Sequence, residues 1–196
     1  MSEPSNPIGQ SVRDAATALL KSRRTIHEFD ERVPPSALIH AAVDHARWAP
    51  NHYRTEPWRF YLIEHTVGLK IAALNAELVR AKSGEVVAES KLRRWSAMPG
   101  WLTITCALNP DSAREREDYA ACCCAAQNLM LYLWAHGVGM KWGTGKVIRD
   151  PRFFEILGAD PLREFAIGLF WYGYPSEVPV QTRRPVSEVL CTVAEH

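Results

Sequence analysis

The most informative part of the sequence runs from Ser112 to Gly145 and reads SAREREDYAACCCAAQNLMLYLWAHGVGMKWGTG. Its first part, Ser112 to His136, predicts a long helix that ends at a glycine, Gly137, as helices commonly do. The glycine-rich part that follows predicts a turn into a short strand. Two interpretations of it stay open: small residues let a flat ligand approach the backbone, or they form a plain cap and strand with Trp142 in the core.

On both sides of this segment, short apolar runs alternate with helical periodicity. Further helices are predicted at Val12 to Ser22, from Pro34-Pro35-Ser36 towards Pro50, at Thr66 to Ala81 and near Pro151 to Leu157. Strands are predicted at Trp58 to Glu64, Trp101 to Leu108, Val138 to Trp142 and Phe165 to Tyr172. The mixture lacks strict strand-helix-strand alternation and repeats, which favours an α+β sandwich.

One segment has no clean period. Lys82 to Gly100 mixes charges with Trp95 and is bounded by glycine and proline, so it predicts either short helices or a mobile lid over a pocket. With 196 residues, the chain is long enough for one sizeable core, and we expect a single domain over residues 1–196.

Charge and hydropathy exclude several classes of partner. The net charge is +1 and no run of five like charges occurs, so we expect neither nucleic acid nor an anionic membrane as partner. The longest apolar stretch, near Phe165 to Tyr174, is half the length that a bilayer requires. Met1 to Gly9 is polar and unlike a signal peptide, which predicts a cytoplasmic protein that meets small molecules or itself.

Five cysteines occur, at positions 106, 122, 123, 124 and 191. No Cys-x-x-Cys or Cys/His ligand spacing is present, which gives no indication of a metal site. We interpret them as reduced, buried thiols that serve as small core residues. A thiol-based sensor at Cys122 to Cys124 is the remaining alternative, although no neighbouring residue would lower a thiol pKa there.

Three clusters could carry chemistry, and the first is Arg23-Arg24-Thr25 at the end of a helix. Guanidinium groups offer a planar fork of donors that suits a phosphate. A solvated basic helix end is the alternative, because the helix dipole favours cations there.

The second cluster is the polar loop from Ala49 to Trp58, which has proline near both ends. Prolines lower the entropy of holding one loop shape, as a ligand-contacting loop requires. Within it, His52 is either a ligand contact or a surface histidine bonded to its own loop.

The third cluster is the run from Gly137 to Gly145 after the long helix. Its end, Gly143-Thr144-Gly145-Lys146, looks like a truncated phosphate loop, but it lacks the upstream glycine and the following hydroxyl residue. No dinucleotide fingerprint, complete phosphate loop or nucleophile elbow is present in the sequence.

The order of these clusters resembles the FMN-dependent nitroreductase superfamily, in its small compact branch, over nearly the whole chain. The shared landmarks are an Arg-Arg-Thr triplet, an Ala-Pro to Pro-Trp loop, an acidic pair, a Gln-Asn-Leu centre, a Gly-x-Gly turn, a Gly-Tyr-Pro and a final basic pair. They lie at Arg23 to Thr25, Ala49 to Trp58, Glu117-Asp118, Gln127 to Leu129, Gly137 to Gly139, Gly173 to Pro175 and Arg183-Arg184.

The resemblance implies a homodimer with a central, mostly antiparallel sheet flanked by helices, and FMN held between the subunits. Arg23 and Thr25 would hold the FMN phosphate with help from Arg183, and Arg24 would reach phosphate or ribityl oxygens. Trp48 and His52 would come from the second subunit. Gly143, Thr144 and Gly145 would line the other edge of the flavin.

The implied activity is NAD(P)H-dependent, ping-pong reduction of nitroaromatic, quinone or related electrophilic acceptors. Hydride transfer is the flavin's own chemistry, so no side chain is assigned as catalytic. Two residues depart from the family pattern: His27 stands where a fixed cation near flavin N1 and O2 is common, and Glu56 where glutamine is common. A non-catalytic protein that stores or senses FMN is therefore the alternative. Neither the physiological acceptor nor a preference for NADH over NADPH follows from the sequence.

Overall fold

The computed structural model describes residues 9–194. The helices are α1 (Gln10–Ser22), α2 (Ser36–Ala46), α3 (His65–Ser83), α4 (Glu85–Ser96), α5 (Ser112–Ala135) and α6 (Pro151–Leu157). The strands are β1 (Trp58–Ile63), β2 (Gly100–Ala107), β3 (Gly139–Gly143) and β4 (Glu164–Gly173). Short 3-10 turns cover His52–Arg54, Lys146–Arg149 and Val186–Glu188. The polar N-terminal segment that argued against a signal peptide lies, up to residue 8, outside the described residues.

The four strands form one sheet in the order β1-β2-β4-β3, and every neighbouring pair is antiparallel. Beyond β3, Thr25 forms an isolated parallel bridge with Met140, so the segment after α1 lies along the open edge of the sheet. The prediction of an α+β protein with an antiparallel sheet is confirmed.

Helices cover both faces of the sheet, because the central strands β2 and β4 carry buried apolar residues on both sides. On one face, α2 and α5 pack against alternate β2 residues such as Leu102 and Ile104. On the other face, α3 and α6 pack against Trp101 and Trp171, and α4 lies on α3. The result is a three-layer sandwich with one apolar core on each side of the sheet.

The long helix begins and ends where the sequence predicts. The Asp111 carboxylate accepts hydrogen bonds from the backbone of Ala113 and Arg114, which satisfies two free donors of the first turn. At the other end Gly137 has φ +77°, and Val138 donates a backbone bond to Leu133. This left-handed cap turns the chain directly into β3.

The segment from 82 to 100 contains one regular helix, α4, which begins after Gly84 at φ +82°. Arg80 and Glu85 form an ion pair across this break. Of the two alternatives that the sequence left open, the helical one describes the structure. Among the described residues no helix is long and apolar enough to cross a membrane.

The expectation that all five cysteines are buried is wrong for two of them. All five are free thiols; Cys106 and Cys122 are buried, Cys123 is half-buried, and Cys124 and Cys191 are exposed. The triplet lies on α5, whose successive side chains point in directions about 100° apart, so one helix face cannot bury all three.

Candidate functional site

Arg183 lies close enough to Arg23 to act on its pKa, although 160 positions separate the two residues in the sequence. Partial burial, Arg183 and Arg24 hold the pKa of Arg23 below its usual range. Within residues 9–194 neither Arg23 nor Arg183 forms an ion pair with a carboxylate. A pair of like charges without a counterion is the local electrostatics of an anion site.

Thr25 and His27 line a cavity of about 330 Å³ together with Pro179, Val180 and Gln181. Thr25 therefore lies beside the C-terminal segment that carries Arg183. Three of the predicted phosphate contacts, Arg23, Thr25 and Arg183, thus gather in one region of the subunit.

The position of this region depends on a close backbone approach. Ile26 is fully buried and its backbone donates to Met140 on β3. A Cβ at Gly139 would collide with the Ile26 side chain, so only glycine permits this approach. The small residue after the long helix therefore makes room for Ile26 rather than for a ligand.

His27 is exposed at the edge of a group of cations. Partial burial, Lys141 and Arg94 lower its pKa, and Glu28 opposes them. Arg94 donates to the carbonyl of His27 and pairs with Glu28 at 2.9 Å. Lys141 in turn has its pKa lowered by burial, Arg94 and Lys91. His27 is therefore surrounded by fixed positive charge.

Arg24 points differently from its two neighbours in the triplet. Its Nη1 atom donates to the carbonyls of Lys21 and Arg23, at 2.6 and 2.9 Å. The guanidinium thus caps the last turn of α1, as the basic-helix-end interpretation expects. Its predicted contact with phosphate or ribityl oxygens would require these bonds to break and stays a prediction.

The loop that carries His52 is fastened to the first turns of α5. His52 Nδ1 lies 2.9 Å from a Glu117 carboxylate oxygen, and Thr55 donates to buried Asp118. The Arg114 guanidinium lies 4.0 Å from the Tyr53 ring centroid. His52 is thus bonded to another element rather than to its own loop.

The same loop holds three residues other than glycine at positive φ: Tyr53, Arg54 and Glu56, at 61°, 53° and 45°. Such conformations each cost on the order of 1 kcal/mol or more and persist where surrounding contacts hold them. Here Asn51 supplies one such contact, because its side-chain oxygen accepts from the Glu56 backbone at 2.7 Å.

Trp48 is 75 % exposed and its only aromatic or cationic neighbour among the described residues is Arg47, at 5.6 Å. Most tryptophan side chains of a folded protein are largely buried, so this indole is available to a ligand or to another chain.

In the turn after β3, one glycine packs against the core and the two residues after it are exposed. A Cβ at Gly143 would lie 2.7 Å from the Trp171 ring, so Gly143 is required by packing. Trp142 packs against Phe170 in the core, as one of the two sequence interpretations expected. Thr144 and Gly145 are exposed, and nothing lies within 4 Å of a Cβ at Gly145.

Within one subunit, the two parts of the predicted site are far apart. Trp134 near the end of α5 donates to Ser22, directly before Arg23, whereas His52 contacts Glu117 near the beginning of α5. At 1.5 Å per residue these contacts are about 25 Å apart along the helix. The structure brings Arg23, Thr25, His27 and Arg183 together and leaves His52 away from them.

Comparison with known proteins decides the family. The model of the nitroreductase family matches residues 20–174. The YfhC protein of Bacillus subtilis (strain 168), provisionally named an NAD(P)H nitroreductase, is 31% identical over 175 residues, which cover 87% of this chain and 90% of the relative. The chain belongs to the nitroreductase family.

Solved structures of the nitroreductase family share the fold. A nitroreductase-like family protein from Bacillus cereus has a TM-score of 0.78 and 26% identity, with 100% of both chains covered. The FMN-dependent nitroreductase NfnB of Mycobacterium smegmatis, solved in complex with NADPH, has a TM-score of 0.75 and 17% identity. That match covers 93% of this chain and 100% of the other.

In this nitroreductase-family chain, sequence reasoning missed Lys141 and Arg94 beside His27. Lys141 lies on β3 with its ammonium 5.3 Å from the Trp171 ring, and Arg94 lies on α4. The lysine inside an otherwise apolar and glycine-rich strand was the available signal. Arg94 offered none, because only the packing of α4 brings it to His27.

Proposed function

We propose that this protein is an FMN-dependent NAD(P)H oxidoreductase that reduces nitroaromatic, quinone or related electrophilic acceptors by a ping-pong mechanism. Family membership and the resemblance of the motif order support the class of reaction. The single structural observation that carries the proposal is the meeting of Arg23, Thr25 and Arg183 in a cationic region without a carboxylate counterion.

The residues present fit the terminal phosphate of FMN. Arg23 and Arg183 supply two guanidinium groups and Thr25 a hydroxyl, which together form charge-assisted and neutral hydrogen bonds to phosphate oxygens. The lowered pKa of Arg23 reflects burial and repulsion between these cations. A bound dianion would relieve that repulsion. Nothing in this region indicates space for the adenosine half of FAD.

FMN, when bound, supplies the hydride chemistry by accepting electrons from a reduced nicotinamide and passing them to an acceptor. The chain would supply orientation and charge. Arg23, Thr25 and Arg183 would anchor the phosphate, and Lys141, beside His27, would place positive charge near the pyrimidine side of the flavin. The open backbone at Gly145 would let a flat ring approach.

We further propose that the enzyme is an obligate homodimer with two FMN sites in its interface. Arg23 and His52 lie near opposite ends of α5 in one subunit, so a flavin that contacts both must bridge two subunits. The exposed Trp48 and the strained His52 loop support this arrangement, because both present surface that no part of residues 9–194 covers. FMN should therefore stabilise the dimer by mass action.

Light scattering at low micromolar concentration, with and without FMN, tests the dimer. We expect a dimer that FMN makes more resistant to dilution. A stable monomer that binds one flavin tightly would contradict the shared site.

Purification followed by an absorbance spectrum and an anaerobic titration tests the activity. We expect a yellow protein with one FMN per subunit that bleaches on addition of NAD(P)H and recolours with a nitroaromatic or quinone. Release of FAD on denaturation would refute the cofactor. If neither NADH nor NADPH bleaches the flavin, the proposed activity is refuted.

Non-catalytic storage or sensing of FMN is a second candidate, favoured by the surroundings of His27. Burial, Lys141 and Arg94 lower the pKa of His27, which disfavours the protonated form that a fixed cation near the flavin would require. The anaerobic titration distinguishes the two, because a storage protein would bind FMN and fail to bleach.

The cysteines do not support a thiol-based sensor. A hydrogen bond with Cys106, followed by burial, raises the pKa of Cys122. Burial also raises the pKa of Cys123. Both groups are therefore protonated thiols at neutral pH, whereas thiol sensors react as thiolates. The free state of all five cysteines agrees with the cytoplasmic location that we propose.

A further inference from the structure

A separate cavity of about 350 Å³ lies between α3, α4 and the turn after β3. Its floor is apolar and includes Leu78, Val87 and Trp95. Three lysines, Lys82, Lys91 and Lys146, stand at its walls, and no carboxylate lines it. An apolar floor with cationic walls suits a planar ring that carries phosphate groups.

The three lysines have no counterions in the part of the chain that the structure describes. None of them forms an ion pair with an Asp or Glu among residues 9–194, although the neighbouring Arg80 pairs with Glu85 and Arg94 with Glu28. Lys91 is also close enough to Lys141 to depress the pKa of that residue. Each of the three lysines can therefore pair with an anionic ligand without first losing a carboxylate partner among residues 9–194.

Asn75 supplies an independent polar contact at the bottom of the cavity. Its side chain is only 8 % exposed, lines the cavity, and forms no hydrogen bond with any residue from 9 to 194. Because Asn75 lines the cavity, a ligand bound there could supply the hydrogen bonds that its amide lacks within these residues. An amide can donate and accept together, which matches the edge of an adenine base.

The cavity is next to the proposed flavin site. Gly145 and Lys146 belong to its lining, and Gly145 is the open backbone position predicted to lie at the edge of the flavin. Lys91, which lines the cavity, lowers the pKa of Lys141, and Lys141 in turn lowers the pKa of His27. The cavity therefore lies near the surroundings of His27. A ligand in the cavity therefore needs only to extend past Gly145 to reach the flavin.

We propose that this cavity binds the adenosine 2′-phosphate half of NADPH and makes the enzyme prefer NADPH to NADH. Asn75 and Trp95 contact the adenine, and the lysines contact the 2′-phosphate, which NADH lacks. This inference depends on the proposed oxidoreductase function and adds the identity of the electron donor to it.

The first experiment measures nucleotide binding rather than turnover. Isothermal titration of the FMN-loaded protein compares 2′,5′-ADP with 5′-AMP, which differ by the 2′-phosphate. We expect 2′,5′-ADP to bind about tenfold more tightly, since exposed ion pairs each contribute a few-fold. Added salt should reduce the difference, because it screens exposed charges.

Substitutions assign the difference to particular residues. In a Lys82→Ala/Lys91→Ala variant the advantage of 2′,5′-ADP should disappear, and the KM for NADPH should rise to the value for NADH. Lys70→Ala, an exposed lysine on α3 outside the cavity, is the matched control and should keep the advantage. Asn75→Ala should weaken both nucleotides equally, because both carry adenine.

Equal affinity of the two nucleotides for the unchanged protein would overturn the inference. So would a 2′,5′-ADP advantage that survives in the double lysine variant. Failure of the proposed function has a different signature, namely no bleaching by NADH or NADPH. A protein that bleaches equally well with both, and binds both nucleotides equally, would refute the NADPH pocket alone.

Discussion

The two ends of α5 show opposite arrangements of charge. At the beginning of the helix, charged groups meet partners: His52 contacts Glu117, Asp118 accepts from Thr55, and Arg114 lies over Tyr53. At the other end, Arg23 and Arg183 lie near each other, and within residues 9–194 neither forms an ion pair. The first arrangement is complete within one subunit, whereas the second is the one that we propose to bind the FMN phosphate.

This difference separates two kinds of site residue. Contacts near the beginning of α5 hold a strained loop in one shape, so their loss should change stability before it changes ligand affinity. The two arginines near the end of α5 have no carboxylate partner among residues 9–194, so replacing them should change ligand affinity more than stability. Each of the following experiments measures one side of this contrast.

Replacement of Arg23 should have the largest effect. The Arg23→Ala variant should bind FMN roughly 10 to 100 times more weakly, because a charge-assisted hydrogen bond contributes about 1.5–3 kcal/mol. Its free energy of unfolding without FMN should be unchanged or slightly higher, since repulsion from Arg183 is removed. Equilibrium dialysis and urea denaturation measure the two quantities. Arg13→Ala, on the exposed surface of α1, is the control, and equal FMN retention in both variants would remove Arg23 from the site.

Mixing of variant subunits tests whether the ends of α5 from two subunits build one site. Arg23→Ala subunits refolded together with Trp48→Ala/His52→Ala subunits should regain about a quarter of the wild-type flavin sites. Only the mixed dimer combines an intact Arg23 with an intact Trp48 and His52, and it does so once. Absorbance of bound FMN gives the fraction. If the mixture binds no more FMN than the two variants bind separately, each site lies within one subunit.

Asp118 should matter for stability. The Asp118→Ala variant should lose about 1.5–3 kcal/mol of unfolding free energy, because it removes the hydrogen bond that the Thr55 hydroxyl donates to the charged, buried Asp118. Urea denaturation of the FMN-free protein measures the loss. An unfolding free energy equal to that of the wild type would show that the His52 loop is held by its backbone alone.

Glu117 is the matched comparison one residue earlier, and its effect should be smaller. The His52–Glu117 pair is exposed, so Glu117→Ala should cost at most about 1 kcal/mol, and less in high salt. The same denaturation series at two salt concentrations checks both statements. A loss as large as that of Asp118→Ala would contradict the distinction between buried and exposed contacts of this loop.

His27 should show the smallest effect, which is a shift of its titration. Because burial, Lys141 and Arg94 disfavour its protonated form, His27 should have a pKa below the ordinary histidine value of about 6.5. Protonation of His27 is then less favourable in the folded protein than in the unfolded chain. The contribution of neutral His27 to the free energy of unfolding is therefore lost as the pH falls below the ordinary histidine pKa. NMR titration measures the pKa.

Lys141→Met should raise the pKa of His27 towards its ordinary value, and Glu28→Gln should lower it further. An unchanged pKa in both variants would show that neither charge acts on His27. In the FMN-loaded enzyme, the flavin potential should also fall more steeply with pH across the titration of His27 than in a His27→Lys variant.

Elements with strong local signals were predictable. The beginning and end of α5, the glycine cap at Gly137 and the four strands follow from periodicity and turn residues within about ten positions, and the structure differs by one or two residues at most boundaries. The segment containing α4 was not assigned, because Glu85–Ser96 combines charges with few apolar residues and its burial depends on α3.

The candidate site was predictable only as a set of separate motifs. Arg23, Thr25 and Arg183 were chosen because their residue types suit a phosphate and their order matches a family. Their convergence is a property of the tertiary structure, since the C-terminal segment brings Arg183 back to the end of α1. The same holds for the contact of His52 with Glu117 across 65 positions.

The amino-acid sequence therefore determines the helices and strands, because propensity, periodicity and turn chemistry act over a few neighbouring residues. The antiparallel sheet and the flavin were predicted from the resemblance of the motif order to a known family. Tertiary structure alone decides which charges face each other. It neutralises those near the beginning of α5, leaves Arg23 and Arg183 without a carboxylate partner among residues 9–194, and gathers Lys82, Lys91 and Lys146 around an unpartnered Asn75. These relations depend on distances of a few ångströms between residues that are remote along the chain.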